Sequence, residues 1–307
     1  GAPMRKVDRQ VLQDMVDRWA PPGWEGDDPC AWPGVECGVK MEGMLMPTET
    51  AFVKTVTVSG VCAAAEDKGL ECVLPPSIGK LDLTERLYLA GNAFVGWIPA
   101  EISGMVSLKA LYLNANSITG PIPASIGMLK KLEKLHLNSN YLTGNIPKEL
   151  GSAAALQQLE LQKNELDGTI PSTLGHLSHL VNLDLHGNRL VGYIPEELGS
   201  LSHLHRIDLH GNLLGGEMPP EMFGRHMQSL MKVDLSSNSL TGGIPYEVCH
   251  LQRLVQFRVD DNDLDPPLVS CEAPHGHHSD IENRHACREQ LRDFCVNMPP
   301  FGLHDEL

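Results

Sequence analysis

The 307-residue sequence lacks a long apolar stretch, because no run of about 18 hydrophobic residues occurs in it. This absence argues against a helix that spans a membrane. Positive charge is also scarce: 24 Lys and Arg stand against 39 Asp and Glu, which gives a formal net charge of −15. An acidic surface repels phosphate backbones and anionic headgroups, so we expect neither binding to nucleic acid nor insertion into a membrane.

Cysteine is absent from the whole middle of the chain, between Cys72 and Cys249. None of the cysteines forms the CxxC pair of a redox or zinc site. An even number clustered at the two ends predicts disulfides that staple the ends of an elongated molecule in an oxidising compartment. The cysteines are Cys30, Cys37, Cys62, Cys72, Cys249, Cys271, Cys287 and Cys295.

A repeat of 24 residues emerges when the chain is aligned on asparagine. Segments such as LYLNAN and LDLHGN recur at this spacing, except for 26 residues between Asn212 and Asn238. Leucines at alternate positions predict a short strand with one inward face, which stacked coils can bury. We expect each asparagine amide to bond the backbone of a tight turn between coils. These asparagines are Asn92, Asn116, Asn140, Asn164, Asn188, Asn212, Asn238 and Asn262.

Each copy continues with LxGxIP, as in LTGNIP at 142–147, where Gly permits a turn and Pro ends the local pairing. A short helical or 3₁₀ stretch with the pattern xxLGxLxxL follows. The combined pattern resembles the plant-specific class of leucine-rich repeat, as in receptor-like kinase ectodomains and polygalacturonase-inhibiting proteins. The resemblance covers roughly residues 53–268.

This resemblance implies an α/β repeat fold. It is a right-handed leucine-rich-repeat solenoid with a parallel β-sheet on its concave face and helical or 3₁₀ segments on its convex face. We expect one continuous domain with disulfide-stapled caps. Residues 1–80 would form the N-terminal cap and a first degenerate strand, residues 81–268 eight repeats, and residues 269–307 the C-terminal cap and tail.

The N-terminal cap is predicted from two segments. DRQVLQDMVDRW predicts a helix over residues 7–19. DPCAWPGVEC resembles the cap of the family, and this likeness implies a Cys30–Cys37 disulfide, while Cys62–Cys72 is the simplest pairing of the next two. The apolar face of the helix would consist of Val11, Leu12, Met15, Val16 and Trp19.

The pairing of the last four cysteines stays open. Cys249 and Cys271 lie at nearly the same phase of successive coils, which would leave Cys287 with Cys295. However, IENRHACREQLRDFC reads as a helix, on which eight residues span about 12 Å, too far for a disulfide. Either that helix breaks or the four cysteines pair crosswise in an unknown order.

The inner sheet is where repeat folds usually bind partners. Tyrosines there would supply contact area and acids would pair with a basic partner, unless the acids only solvate the strands. We predict a non-enzymatic module that binds a protein or peptide; a structural subunit of a larger assembly and a secreted inhibitor of a cell-wall enzyme are the alternatives. The predicted binding residues are Tyr88, Tyr112, Lys134, His136, Glu160, Asp184, His186, Arg206, Asp208, His210, Lys232, Asp234 and Arg258.

Catalysis has little support in the sequence. Nucleophile motifs, phosphate loops and cofactor fingerprints are missing. Asp184 and Asp208 would lie about 5 Å apart on stacked coils, a separation seen in glycoside hydrolysis. An open surface would not desolvate such a pair and raise the pKa of one carboxyl. We therefore predict no enzyme activity and no cofactor.

Histidine is abundant, with 14 residues. His186 and His210 should stack one coil apart, each two residues after an aspartate, and such a quartet could hold a divalent metal. Surface histidines beside aspartates and polar tail loops are also ordinary solvated features, so the sequence assigns no metal. The tail segment PHGHHSD adds His275, His277 and His278.

The chain ends on HDEL, which matches the tetrapeptide that retains proteins in the endoplasmic reticulum. Together with the cysteines it predicts the lumen of that compartment, with an extracellular location as the alternative. The chain opens GAPMRK without an initiator Met, so we expect an upstream segment to have been removed. The retention signal would consist of His304, Asp305, Glu306 and Leu307.

Overall fold

The computed structural model describes residues 2–19, 21–42, 48–62 and 72–265. Within these ranges the chain winds into stacked coils, each with a short strand on one side and a 3₁₀ turn on the other. The predictions for the other residues lie outside the described ranges. They concern Cys271, Cys287, Cys295, His275, His277, His278 and the tetrapeptide His304–Leu307.

The strands follow the repeat, because the strand leucines recur every 24 residues at most coils. The central residue of each repeat strand is fully buried, as Leu159 and Leu183 illustrate. The strands are β1 (Val35–Glu42), β2 (Thr48–Thr57), β3 (Arg86–Tyr88), β4 (Ala110–Tyr112), β5 (Thr119–Gly120), β6 (Lys134–His136), β7 (Tyr141–Asn145), β8 (Gln158–Glu160), β9 (Glu165–Asp167), β10 (Asn182–Asp184), β11 (Val191–Gly192), β12 (Arg206–Asp208), β13 (Leu213–Glu217), β14 (Lys232–Asp234), β15 (Ser239–Gly242), β16 (Gln256–Arg258) and β17 (Asp263–Leu264).

The main sheet has ten strands in the order β1-β2-β3-β4-β6-β8-β10-β12-β14-β16. Only the β1–β2 pair is antiparallel within this sheet, and every later pair is parallel. The register is constant, so the same repeat position lies beside itself on the next coil, as with Glu160 beside Asp184. Two smaller sheets, β5-β7-β9 and β11-β13-β15-β17, flank it. The predicted solenoid with a parallel sheet is confirmed.

The outer side of the coils is made of 3₁₀ turns rather than helices. The 26-residue repeat places its two extra residues here, as an additional turn Arg225–Met227. The one α-helix in the described ranges is α1 (Lys6–Trp19). The 3₁₀ turns are Pro29–Ala31, Pro76–Lys80, Ala100–Gly104, Ala124–Met128, Lys148–Ser152, Ser172–His176, Glu196–Ser200, Pro220–Phe223, Arg225–Met227 and Tyr246–His250.

The N-terminal cap closes the first coil with α1. Its apolar face is buried as predicted, except that Val16 is only partly buried. The indole Nε1 of Trp19 donates to the carbonyl of Val73 at 2.7 Å, which satisfies a polar group inside the core. The predicted disulfides Cys30–Cys37 and Cys62–Cys72 are confirmed. Cys249 is also disulfide-bonded.

The repeat asparagines join neighbouring coils. The side-chain Nδ2 of Asn140 donates to the carbonyls of Leu113 on the preceding coil (2.9 Å) and Leu137 on its own coil (3.0 Å). Its Oδ1 accepts the backbone N–H of Ile118 at 3.0 Å. Buried backbone groups that no strand could pair are satisfied in this way, and the pattern repeats coil after coil.

Glycine in the 3₁₀ turns permits the coils to stack closely. A Cβ on Gly151 would lie 2.2 Å from the carbonyl oxygen of Thr173 on the next coil. No side chain fits in that space, so the glycine of the xxLGxLxxL pattern is required by backbone-to-backbone contact rather than by a turn.

Candidate functional site

An aromatic ladder crosses three coils of the concave face. The rings of Tyr88 and Tyr112 stack with centroids 4.9 Å apart and planes at 22°. The next ring, His136, meets Tyr112 edge-on at 4.5 Å. All three side chains are partly exposed. Burial, followed by the proximity of Tyr88 and Glu160, raises the pKa of Tyr112, so its phenol stays protonated and can donate a hydrogen bond.

A basic edge borders the tyrosines. Lys109 pairs with Glu85 at 3.2 Å, and Arg86 lies 3.8 Å from the same carboxylate. The hydrogen bond from Lys109 lowers the pKa of Glu85, despite some desolvation. Lys134 forms no ion pair with any residue in the described ranges, so its charge is available to a partner. A small recess between the rings and these charges is lined by Arg86, Tyr88, Lys109, Ala110, Tyr112, Glu133 and Lys134.

The ladder continues into a polar segment at the middle of the sheet. His136 contacts Glu160 on the next coil, with Nδ1 3.4 Å from the carboxylate, while its Nε2 lies 3.0 Å from the Gln158 oxygen. The amide of Asn182 donates to Glu160 at 3.3 Å. The constant register places these side chains side by side, so the polar segment is ordered by its own contacts.

The next two coils carry a cluster of five side chains. The Nδ1 atoms of His186 and His210 lie 2.7 and 2.6 Å from the carboxylates of Asp184 and Asp208, respectively. The two imidazole rings stack 4.3 Å apart at 12°. Arg206 donates to Asp208 at 2.7 Å and lies 3.3 Å from Asp184. Both aspartates are buried, whereas Arg206 is exposed.

Asp208 is held in its ionised form. Burial alone would raise its pKa, but the hydrogen bonds from Arg206 and His210 outweigh it and lower the pKa below the ordinary value of 3.8. Because the pKa is lower in the folded state, this carboxylate stabilises the fold above that ordinary value. The contribution is lost as the pH falls through the folded pKa.

The last part of the strip also pairs its acids internally. Asp234 accepts a hydrogen bond from the hydroxyl of Ser236 at 2.5 Å and lies 3.5 Å from Arg258. Arg258 in turn donates to Asp260 at 3.2 Å. Lys232, on the same strand as Asp234, is exposed.

The structure thus divides the predicted strip into two kinds of residue. Asp184, Asp208 and Asp234 were expected to face a basic partner, yet they are buried beneath their neighbours and bonded to them. They lie there because the adjacent coils supply Arg206 and Arg258 in register. The partly or fully exposed members are the aromatic ladder, the basic side chains, Glu160, His186 and His210.

Two large aromatic side chains that lie beside the flanking sheets, outside their strands, were not predicted. Trp97 is 68% exposed and Tyr193 is 73% exposed. Both occupy the variable position of LxGxIP, as the segments FVGWIP and LVGYIP show. Listing the residue at this position in every repeat would have shown both aromatic side chains.

No helix in the described ranges is both long and apolar enough to cross a bilayer.

Comparison with known proteins agrees with the geometry. A family model described as "Leucine rich repeat" matches residues 154–214, and one described as "Leucine Rich Repeat" matches residues 107–129, 131–153 and 229–251. The leucine-rich-repeat ectodomain of the plant membrane receptor kinase GASSHO1/SCHENGEN3 from Arabidopsis thaliana, solved with CASPARIAN STRIP INTEGRITY FACTOR 2, is 32% identical with a TM-score of 0.69. That match covers 83% of this chain and 30% of the receptor chain.

Two further solved structures extend the comparison. The ectodomain of the Arabidopsis receptor kinase HAESA, solved with an IDA peptide hormone ligand, is 28% identical with a TM-score of 0.59, over 84% of this chain and 49% of that one. A plant ice-binding protein is 27% identical with a TM-score of 0.62, over 85% of this chain and 88% of that one. The chain spans about a third of the length of the first receptor structures that it matches. The repeats, the solenoid and these likenesses identify a leucine-rich-repeat protein of the plant type.

Proposed function

We propose that the protein is a non-enzymatic recognition module that binds a protein or peptide on its concave face. The observation that carries this proposal is the ladder of Tyr88, Tyr112 and His136, stacked across three coils and still partly exposed. Tyrosine gives large contact area at low entropic cost and is enriched where interfaces bind most strongly. Stacking of the rings fixes their positions before any partner arrives.

The charges beside the ladder indicate the chemistry of the partner. Lys134 lies within the recess between the tyrosines and has no ion pair within the described ranges. A carboxylate on the partner would supply the missing counter-charge, and an apolar side chain would pack on the phenol rings. We therefore expect a peptide segment that carries an apolar or aromatic residue next to an acidic one.

The solved relatives support a peptide as the class of partner. The GASSHO1/SCHENGEN3 ectodomain was solved with CASPARIAN STRIP INTEGRITY FACTOR 2 and the HAESA ectodomain with a peptide hormone. Both share the repeat architecture of this chain. We infer the chemistry of the partner here from the strip of this chain and not from those ligands.

The electrostatics of the strip favour recognition over catalysis. A general acid in glycoside hydrolysis needs a raised pKa. Asp208 has the opposite property, because Arg206 and His210 lower its pKa against the effect of burial. The neighbouring Asp184 is likewise engaged by Arg206 and His186. Asp208 is therefore not suited to act as a general acid, and both aspartates hold neighbouring side chains of the sheet in place.

A displayed library of random peptides, selected on the intact protein, tests the proposal. We expect enriched sequences that pair an acidic residue with an apolar or aromatic one. The variant Lys134→Glu should bind these peptides at least tenfold more weakly, because it places like charges together; tenfold corresponds to about 1.4 kcal/mol. Failure to enrich any peptide above the background of the empty support would contradict the proposal.

Lys148→Glu is the matched control for this charge reversal. Lys148 is exposed on the 3₁₀ turn Lys148–Ser152, which lies on the outer side of the coil that begins with the strand of Lys134. The control changes the net charge of the protein by the same amount as Lys134→Glu does. Peptides that lose affinity equally in both variants would indicate a long-range charge effect and would remove Lys134 from the site.

The disulfides and the receptor-ectodomain likenesses indicate an extracellular or secretory location. Within that range we propose the endoplasmic reticulum lumen, on the strength of the HDEL sequence alone. The intact protein, expressed in plant cells, should stay with luminal markers, and deletion of His304–Leu307 should release it into the medium. Appearance of the intact protein in the medium at the same rate would refute retention.

A further inference from the structure

We propose that the concave face carries a second site, for a divalent transition metal such as Zn²⁺, formed by His186, Asp208 and His210. One nitrogen of each ring and one carboxylate oxygen all lie within 4.8 Å of one another. Two imidazoles and one carboxylate are a donor set that zinc accepts, with a fourth position left open for water or a ligand. The inference stands independently of peptide binding.

The observed separations between donor atoms lie on either side of the separation expected around a bound zinc ion. Zinc bonds of about 2.0–2.2 Å in a tetrahedron place neighbouring donor atoms about 3.4 Å apart. The Nδ1 of His210 lies 2.6 Å from Asp208, and the Nδ1 of His186 lies 4.0 Å from the same carboxylate. Binding an ion therefore requires the first contact to widen by about 0.8 Å and the second to shorten by about 0.6 Å.

The surrounding residues hold the donors in place. Arg206 bonds the Oδ2 atom of Asp208, which leaves Oδ1 for the imidazole of His210. The backbone N–H of His210 also donates to Oδ1 at 3.3 Å. Asp184 makes the same two contacts with His186. In a loaded site the ion takes the place of the proton in these Nδ1–carboxylate contacts, so the donor atoms face one another before any ion binds.

A second pair of stacked histidines shows that stacking alone does not make the site. His179 and His203, on the outer side of two successive coils, are parallel within 11° but 6.3 Å apart. Their Nδ1 atoms contact the backbone oxygens of Ala154 and Ser178 rather than carboxylates. The two pairs therefore share residue type and coil spacing and differ in the acidic donor.

The test is a titration of the full-length protein, freed of metal with EDTA and dialysed, with ZnCl₂ in a calorimeter. We expect the variant H186A/H210A to lose one zinc equivalent relative to the wild type. The matched variant H179A/H203A should bind as the wild type does. Asp208→Asn should weaken the same equivalent by about tenfold or more, because it removes an anionic donor.

Cobalt gives a second measurement, because tetrahedral Co²⁺ absorbs visible light more strongly than the hydrated ion. The absorption should disappear in H186A/H210A and persist in H179A/H203A. The double histidine variant H186A/H210A should keep the wild-type circular dichroism in EDTA, since both rings are partly exposed. The single variant His210→Gln gives the same comparison with less change. An unchanged zinc stoichiometry in H186A/H210A, whether zero or carried by other histidines, would overturn the site.

Discussion

Asn164→Ala is expected to lower the free energy of unfolding by about 3 kcal/mol or more. The amide of Asn164 donates to the carbonyls of Leu137 (3.1 Å) and Leu161 (2.9 Å), and its Oδ1 accepts the N–H of Leu142 (3.0 Å). The carbonyls keep a second bond from neighbouring asparagines, as when Asn140 donates to Leu137. The substitution leaves the N–H of Leu142 without a partner inside the core, which costs about 1–3 kcal/mol. The two bonds from the Asn164 amide to the carbonyls are also lost, at about 1 kcal/mol each.

Urea unfolding followed by circular dichroism measures this loss. Asn145→Ala is the control, because Asn145 lies on the preceding coil and is exposed. Surface substitutions of that kind change the free energy of unfolding by about 0.5 kcal/mol or less. Equal urea midpoints for the two variants would show that the side-chain hydrogen bonds of Asn164 do not stabilise the fold.

Asp8→Ala is expected to lower the free energy of unfolding by about 3 kcal/mol. The side chain of Asp8 is fully buried at the start of α1. One carboxylate oxygen pairs with Arg5 at 2.5 Å, and the other accepts the N–H of Val53 in β2 at 2.8 Å. Removal leaves that N–H unpaired, while Arg5 retains Asp82 at 2.7 Å, so we place the effect at the lower end of the range for broken buried pairs.

Thermal unfolding of Asp8→Ala beside Asp17→Ala checks this prediction. Asp17 lies on the same helix but is exposed, and its carboxylate accepts a hydrogen bond only from the exposed side chain of Gln13 among the described residues. The control should unfold within about 2 °C of the wild type. A wild-type midpoint for Asp8→Ala would mean that the helix is held by its apolar face alone.

The fold could be predicted from the sequence because its period is short and regular. Each strand, 3₁₀ turn and asparagine recurs about every 24 residues, so one coil determines the next. The Cys30–Cys37 disulfide was implied by the resemblance of the ten-residue segment DPCAWPGVEC to the cap of the family. Such local patterns predict the structure of one coil, and in a solenoid each coil contacts only its neighbours, so the same prediction extends along the chain.

The burial of charged residues could not be predicted in the same way. Asp8 reads as a solvated residue of an amphipathic helix, yet Arg5 and the distant N–H of Val53 enclose it. The sequence pattern predicts exposed side chains for Asp184 and Asp208. In the structure both are buried, with Arg206 and the histidine rings against them. Such positions depend on side chains from different coils meeting in three dimensions, which no single repeat reveals.

The concave-face proposal is tested most directly by one comparison of dissociation constants. A peptide selected on the wild-type protein is titrated calorimetrically into Y88A/Y112A and into W97A/Y193A. Each variant removes two partly or largely exposed aromatic rings, the first pair from the ladder and the second from positions beside the flanking sheets. We predict at least a tenfold loss of affinity for Y88A/Y112A and less than a twofold change for W97A/Y193A. Equal affinities for the two variants, or a loss confined to W97A/Y193A, would contradict binding on the concave face.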